Sequence, residues 1–285
     1  MPTTDAPTVG ELLAESRSRL QQAGVEQAGF EARLLVGHGL DMNGTRLIAF
    51  GERPVTARQA EAVRALVGAR MAGQPIAYLL GRREFWSLPL QVNEHCLIPR
   101  PETELLVERA LRHLPSDPAR ALDLGTGSGA IVLALKSERP QLEAWAGDLS
   151  TAAIAVAAAN AHSLGLAVRW FCGRWLEAVA PRPLFDLIVS NPPYVAANDP
   201  HLEAGDLRFE PRSALVAADG GLADLRVIVE QSRHRLRPGG WLLLEHGRDQ
   251  GPAVRRLLLD AGYQEVASHT DLAEQERITE GRVTA

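Results

Sequence analysis

Residues 123–138 read DLGTGSGAIVLALKSE, and how they are parsed decides the rest of the chain. A short apolar run ends in Gly125, Gly127 and Gly129 and passes at once into a stretch of helical character. Glycine admits positive φ and lets a backbone approach a ligand closely, while free N–H groups at a helix start favour an anionic group. The reading is a strand, a tight turn and a helix built round a nucleotide-like cofactor. Asp148 closes the next apolar run, EAWAGD at 143–148. A carboxylate there can accept hydrogen bonds from both hydroxyls of a ribose.

That pairing fits either a nicotinamide dinucleotide or S-adenosylmethionine. The spacing G-x-G-x-G, rather than G-x-G-x-x-G, misplaces the third glycine for packing a helix beneath a pyrophosphate, which weakens the dinucleotide reading. Outward from the turn, helical stretches alternate with apolar runs at 121–125, 143–148, 168–172, 185–190 and 241–247. Strands separated by helices mean βαβ units and a mostly parallel, doubly wound sheet. The tail, QEVASHTD and ERITEGRVTA, reads as two further strands joined by a turn.

Upstream the pattern is helical. Thr8 and Glu11 have capping-box spacing ahead of Leu12, Leu13 and Leu20, and a second helix is expected from Phe30 to about Gly39. Thr56 and Gln59 repeat the signal before Val63, Leu66, Val67 and Met71, which share one helix face. Residues 1–73 therefore read as a small helical domain. At 74–99 two apolar runs, 76–80 and 88–92, flank Gly81-Arg82-Arg83 and predict a β-hairpin linker, which leaves 100–285 for the α/β domain.

With 285 residues, 46% hydrophobic and 23% charged, the chain has the composition of a globular protein, not of a disordered or fibrous one. A formal charge of −5 argues against a general nucleic-acid coater, and the helical region balances eight arginines with eight acids. Lys136 is the single lysine and lies in no Walker-type loop. Cys96 and Cys172 form neither a disulfide framework nor a zinc pattern, and the eight histidines form no H-E-x-x-H, so no metal is expected. No secretion signal or apolar membrane span is read, and the expected location is cytoplasmic.

The tetrad Asn191-Pro192-Pro193-Tyr194 follows the apolar run FDLIVS, at the carboxyl edge of the sheet where ligands bind in such folds. Two prolines stiffen the loop and remove its N–H donors, so it presents carbonyl oxygens; Asn191 adds a side-chain acceptor and Tyr194 an aromatic face. Such a site suits a planar NH2 group, whose two protons the Asn191 side-chain oxygen and the Pro192 carbonyl can each accept. An amide nitrogen is a poor nucleophile because its lone pair is delocalised. Holding both protons turns that nitrogen toward a sulfonium methyl, and the oxygens stabilise the positive charge that develops.

The whole pattern resembles the N5-glutamine methyltransferases that modify class I peptide-chain release factors. The resemblance rests on IPRPETE at 98–104, DLGTGSGA at 123–130, Asp148, SNPPY at 190–194 and DPHLEAGDLRFEPRSALVAADGG at 199–221. LLLEHG at 242–247, Gln250 and GY at 262–263 also match. It implies a seven-stranded, Rossmann-like class I methyltransferase domain preceded by a helical domain for substrate recognition and a hairpin linker. The cofactor would be S-adenosylmethionine and the partner a class I release factor, with no direct nucleic-acid binding and no membrane.

Carried over, Gly125, Thr126, Gly127, Ser128 and Gly129 would line the methionine part, Asp148 the ribose and Trp175 the adenine, with Asn191 at the cofactor's edge. Asn191, Pro192, Pro193 and Tyr194 would hold the glutamine, and Asn191, Pro192 and Tyr194 would be catalytic. Residues 100–104 would open a helix near the substrate mouth, with Pro101 at its first position. Relatives commonly carry an acid before the tryptophan, and here Arg174 stands there. Two other readings stay open: a DNA adenine N6-methyltransferase, whose flipped base also offers a planar amine, and a non-catalytic module binding the release factor or ribosome. His246 is expected to be structural, and Glu210 either orients a substrate loop or is a solvated acid.

Overall fold

The computed structural model describes residues 6–116, 118–203 and 205–284. The first five residues of the expected helical domain, Ala204 of the 199–221 stretch and Ala285 of the last expected strand lie outside the described residues. The chain divides into two compact units, Met1–Gly81 with Glu203–Phe209, and Arg82–Leu202 with Glu210–Ala285.

The first unit holds α1 (Val9–Gln22), α2 (Ala28–Leu40), α3 (Gly44–Ala49), α4 (Ala57–Met71) and α5 (Ile76–Leu80). Both expected capping boxes are formed. Thr8 N–H donates to Glu11 Oε2 at 2.8 Å and Glu11 N–H to Thr8 Oγ1 at 3.2 Å. The corresponding Thr56 and Gln59 bonds are 3.0 and 3.3 Å. Leu12, Leu20, Leu35, Leu47, Val63 and Val67 pack into one buried cluster. The later segment Glu203–Phe209 belongs to this unit: Arg208 donates to the Ala72 carbonyl at 2.8 Å, and Arg70 lies 3.4 Å from Asp206.

One expectation is corrected here. The run 76–80, read as the first strand of the hairpin, is α5, opened by Pro75 and closed by Gly81 at φ +66°. Five consecutive apolar residues carry no period that separates strand from helix, so the flanking proline and left-handed glycine decide. The hairpin pairs β1 (Arg82–Phe85) with β2 (Leu88–Gln91) across Trp86-Ser87, and it groups with the second unit.

The second unit continues with α6 (Glu104–His113), β3 (Arg120–Leu124), α7 (Ala130–Glu138), β4 (Glu143–Asp148), α8 (Thr151–Leu164), β5 (Arg169–Cys172) and β6 (Phe185–Ser190). The short β7 (Val195–Ala196), α9 (Arg212–Leu215) and β8 (Val216–Ala217) follow, then α10 (Ala223–Arg233), β9 (Leu236–Glu245), α11 (Gly251–Asp260), β10 (Gln264–Thr270) and β11 (Glu276–Arg282). The seven-stranded sheet has the order β10-β11-β9-β6-β3-β4-β5. Its members run parallel except β11, which is antiparallel to both neighbours.

Apolar runs rather than alternation marked these strands because both faces are buried. In β3, Ala121 joins one core cluster and Leu122 the other; in β6, Leu187 and Val189 face one cluster and Ile188 the opposite one. The β9 strand begins at Leu236, ahead of the expected 241. It absorbs Pro238-Gly239-Gly240 through a register shift against β6, with Gly239 at φ +80°, so a sequence that reads as a turn is carried inside a strand. Chain order reverses direction between β3 and β6, and the crevice at their carboxyl ends is where ligands bind in doubly wound sheets.

Candidate active site

The two strand ends at that crevice are tied together: Ser190 Oγ donates to the Leu124 carbonyl at 2.7 Å. From there the chain leaves β3 through Gly125, Gly127 and Gly129, at φ +69°, +57° and +85°. Gly129 precedes α7, and a Cβ there would stand 3.0 Å from Leu133 and 3.2 Å from Ala157, so the turn admits no side chain at that point. Asn160, fully buried on α8, holds the same turn and the hairpin at once. Its Nδ2 donates to Ser128 O at 2.9 Å and Gln91 O at 3.0 Å, and its Oδ1 accepts from Gln91 N–H at 2.7 Å.

A cavity of about 600 Å³ opens beside the turn, a size usual for small-molecule sites. Its wall includes Gly125, Thr126, Gly127, Ser128, Asp148, Trp175, Asn191 and Pro193. These expected site residues are therefore gathered in one place. Gly129, Pro192 and Tyr194 are not on the wall. Pro192 is buried, and Tyr194 turns its hydroxyl to Glu245 Oε1 at 3.3 Å, as a largely buried phenol needs a partner. Tyr194 thus presents no aromatic face to this cavity.

Asp148 at the end of β4 accepts from Gly127 N–H at 3.0 Å and Ser150 N–H at 2.9 Å. A carboxylate has about four lone-pair sites, so two remain. Trp175, in left-handed backbone at φ +49°, lays its ring beside Gly125 and donates Nε1–H to Asp224 at 3.0 Å. Arg174 is exposed and lies 3.7 Å from the same Asp224, so the unusual arginine meets an acid supplied by α10. Asn191 donates Nδ2–H to Thr103 Oγ1 at 3.2 Å, and its Oδ1 has no hydrogen-bond partner among the described residues.

Glu210 is not a solvated acid. It is buried, accepts from Ile98 N–H at 3.0 Å and pairs with Arg100, pinning the 98–100 stretch to the loop that brings Pro211, Ser213 and Ala214 to the wall. Pro101 opens a 3-10 turn that leads into α6, and Glu104 accepts from Trp86 N–H at 2.9 Å, a bond to the hairpin. His246 is buried between Gly247 O at 2.9 Å and Thr279 Oγ1 at 2.7 Å, and burial lowers its pKa; it is structural, as expected.

Sequence reasoning passed over Asp123, Thr103, Asn160, Asp224 and Glu245. Burial pushes the Asp123 carboxyl up to about 7 against the bond from Thr126 Oγ1 at 2.7 Å, and its Oδ1 is buried without a partner. Burial likewise pushes Glu245 up to about 7, against the bond from the Tyr194 hydroxyl at 3.3 Å. Cys96, on the wall, is pushed up to about 11 by burial and stays a thiol. Among the described residues, no group of three or more His, Cys, Asp or Glu is placed to hold a metal, and no helix is long and apolar enough to cross a membrane.

Comparison with known proteins separates what this geometry shares with methyltransferases in general from what is particular. A family model described as the PrmC N-terminal domain matches residues 11–81, and one described as the methyltransferase small domain matches 102–225. The release factor glutamine methyltransferase of Escherichia coli K12 is 49% identical, covering 95% of this chain and 97% of that protein. That of Vibrio cholerae is 45% identical, with 96% of each covered. A crystal structure of a methyltransferase from Pyrococcus furiosus, 16% identical at TM-score 0.53 over 70% of this chain and 90% of that one, shares the fold alone. Identity near one half, sustained through the helical unit as well as the sheet, is more than a common fold requires: the chain belongs to the release factor glutamine methyltransferase family.

Proposed function

We propose that this protein transfers the methyl group of S-adenosylmethionine to the side-chain amide nitrogen of the glutamine in the Gly-Gly-Gln loop of class I peptide-chain release factors. The observation that carries this reading is Asn191, its Oδ1 uncommitted, on the wall of the cavity that also holds the glycine turn and Asp148. The wall fits the cofactor. Asp148 keeps two lone-pair sites for ribose hydroxyls, the Trp175 ring supplies a flat apolar face, and beyond the chain neighbours of Gly127 no described protein atom lies within 4 Å of its would-be Cβ. When bound, S-adenosylmethionine supplies an electrophilic sulfonium methyl.

The residues of the chain then do three things. Asn191 Oδ1 and the Pro192 carbonyl each accept one proton of the substrate amide, which fixes the rotation of the NH2 group and directs its nitrogen to the methyl. The same two oxygens stabilise the charge that grows on nitrogen as the C–N bond forms and the methyl–sulfur bond breaks to leave a neutral thioether, and the nitrogen then gives up one proton to water. Pro192 and Pro193 keep the loop rigid, so little reorganisation accompanies transfer. Tyr194 acts from behind, its carbonyl held by Gln250 Nε2 at 3.0 Å and its hydroxyl by Glu245.

The test is incorporation of label from S-adenosylmethionine into a purified class I release factor, beside a Gln→Ala variant of its Gly-Gly-Gln loop and a duplex DNA control. Label in the intact factor alone is expected. Label in DNA would replace this reading with the adenine methyltransferase one, and cofactor binding without transfer to either would leave a binding module.

A further inference from the structure

The glycine turn beside the cavity closes on itself through one local bond, Gly129 N–H to Thr126 O at 2.8 Å. That bond moves with the turn and does not fix where the turn sits. Gly127 at φ +57° and Gly129 at φ +85° leave the backbone soft, so the position of the turn depends on ties from outside it. Two come from the β4–α8 unit: Gly127 N–H donates to Asp148 Oδ2 at 3.0 Å, and Asn160 Nδ2 donates to Ser128 O at 2.9 Å. Asp148 is on the cavity wall, where a ligand competes for it. Asn160 is fully buried and off the wall, so its bond is out of a ligand's reach.

The Asn160 amide can face only one way. Nδ2 meets two carbonyls, Ser128 O and Gln91 O, while Oδ1 meets the Gln91 N–H, and a reversed amide would set like against like at all three. Gln91 ends β2, and the hairpin it belongs to is firmly seated. Phe85 and Leu90 are buried in the core, and Trp86 donates its backbone N–H to Glu104 at 2.9 Å and Nε1–H to Glu138 at 2.8 Å. We propose, on the reading of the cofactor given above, that Asn160 is a positioning residue that fixes the glycine turn for S-adenosylmethionine and couples cofactor binding to the β1–β2 hairpin. A ligand that steadies the turn then steadies the hairpin through the same side chain, and the coupling is reciprocal.

The experiment uses the full chain and three variants. Asn160→Leu removes all three bonds; Asn160→Asp keeps an acceptor for Gln91 N–H but sets a carboxylate against the two carbonyls. Tyr263→Phe is the control: it deletes another buried bond, from the hydroxyl to Val229 O at 3.0 Å, on a residue off the cavity wall. The calorimetric Kd for S-adenosylmethionine should rise about 10- to 50-fold in both Asn160 variants and stay within about threefold of wild type in Tyr263→Phe. At saturating cofactor, kcat and the KM for the release factor should stay within about threefold throughout. A merely structural role lowers the folded fraction and leaves the Kd of folded protein alone. Unchanged Kd in a folded Asn160 variant, or an equal rise in Tyr263→Phe, overturns the proposal.

A second readout needs neither a variant nor an acceptor. In the wild type, saturating S-adenosylmethionine should slow hydrogen exchange at the Gln91 backbone amide at least fivefold more than at the amides of α11, which report general stabilisation by the ligand. Equal slowing at both overturns the coupling. Failure of the wild type to methylate the release factor would count against the proposed substrate and leave the calorimetry and the exchange decisive for Asn160. Failure of the wild type to bind S-adenosylmethionine at all would overturn the cofactor reading and this proposal with it.

Discussion

Two buried carboxylates on one face of the sheet are treated in opposite ways. Glu245 of β9 stands opposite Ile278 of β11, and Glu280 lies two residues farther along β11, so pleating puts all three on the same side. Burial would raise Glu280 too, but hydrogen bonds from His113, Arg109 and His269 outweigh it and hold the carboxyl at about 2. Arg109 is 2.6 Å away, His113 3.1 Å and His269 3.0 Å, with Trp241 stacked on the His113 ring. Glu245 receives the Tyr194 hydroxyl at 3.3 Å and no direct cation, and burial pushes it up to about 7. The helix α6 supplies Glu280 with Arg109 and His113. A carboxylate saturated with donors, one of them a guanidinium, is held charged, whereas one left under-paired resists charging.

The largest expected effect falls on the saturated member. Glu280→Gln strands Arg109 in the interior and should cost about 3–5 kcal/mol in denaturant unfolding near neutral pH; a cost below about 1 kcal/mol would erase the contrast. Since folding lowers the Glu280 pKa from 4.5 to about 2, its stabilisation is complete above 4.5 and is lost as pH falls toward 2. Next is the side chain that lines the cavity with an uncommitted oxygen. Asn191→Ala should lower kcat about 10²- to 10³-fold while S-adenosylmethionine still binds, and near-native turnover would remove the residue from the mechanism.

Smaller still, Asp148→Ala should weaken cofactor binding roughly 10- to 100-fold by calorimetry, and unchanged affinity would contradict the ribose assignment. Glu245→Gln should change stability least. Folding raises the pKa of Glu245 from 4.5 to about 7, so the native state binds more protons than the unfolded one in that window and stability falls as pH rises through it. The variant should show a shallower fall between pH 4.5 and 7 than the wild type; an unchanged slope would mean the carboxylate is not the group that resists charging.

What the chain discloses in advance depends on how local the physics is. The strands around Leu122, Ile188 and Leu243 are legible because burial on both faces leaves apolar runs broken only by single acids, Asp123 and Asp186. The turn from Gly125 to Gly129 and the stiff Asn191 loop are legible because their chemistry is written in consecutive residues. The run 76–80 is not, since its helix is set by its two flanking residues and not by any period within. Thr103, Asn160 and Glu245 are invisible for another reason: their partners Asn191, Gln91 and Tyr194 lie far along the chain, and only the pairing of distant strands and helices brings them together. Asp224, which receives both Trp175 and Arg174, belongs to the same class.

The excursion at Glu203–Phe209 makes this protein resistant to being read as beads on a string. The chain completes its helical unit once at Gly81, builds most of a sheet, returns to lay Asp206 and Arg208 against Arg70 and Ala72, and then resumes with Glu210. No single cut divides it into two self-contained pieces. A fragment beginning at Arg82 would carry a seven-residue passenger without its seat, and a swap of helical units between relatives would have to bring the returning segment along. The covalent chain therefore passes between the two units three times where a simple fusion passes once.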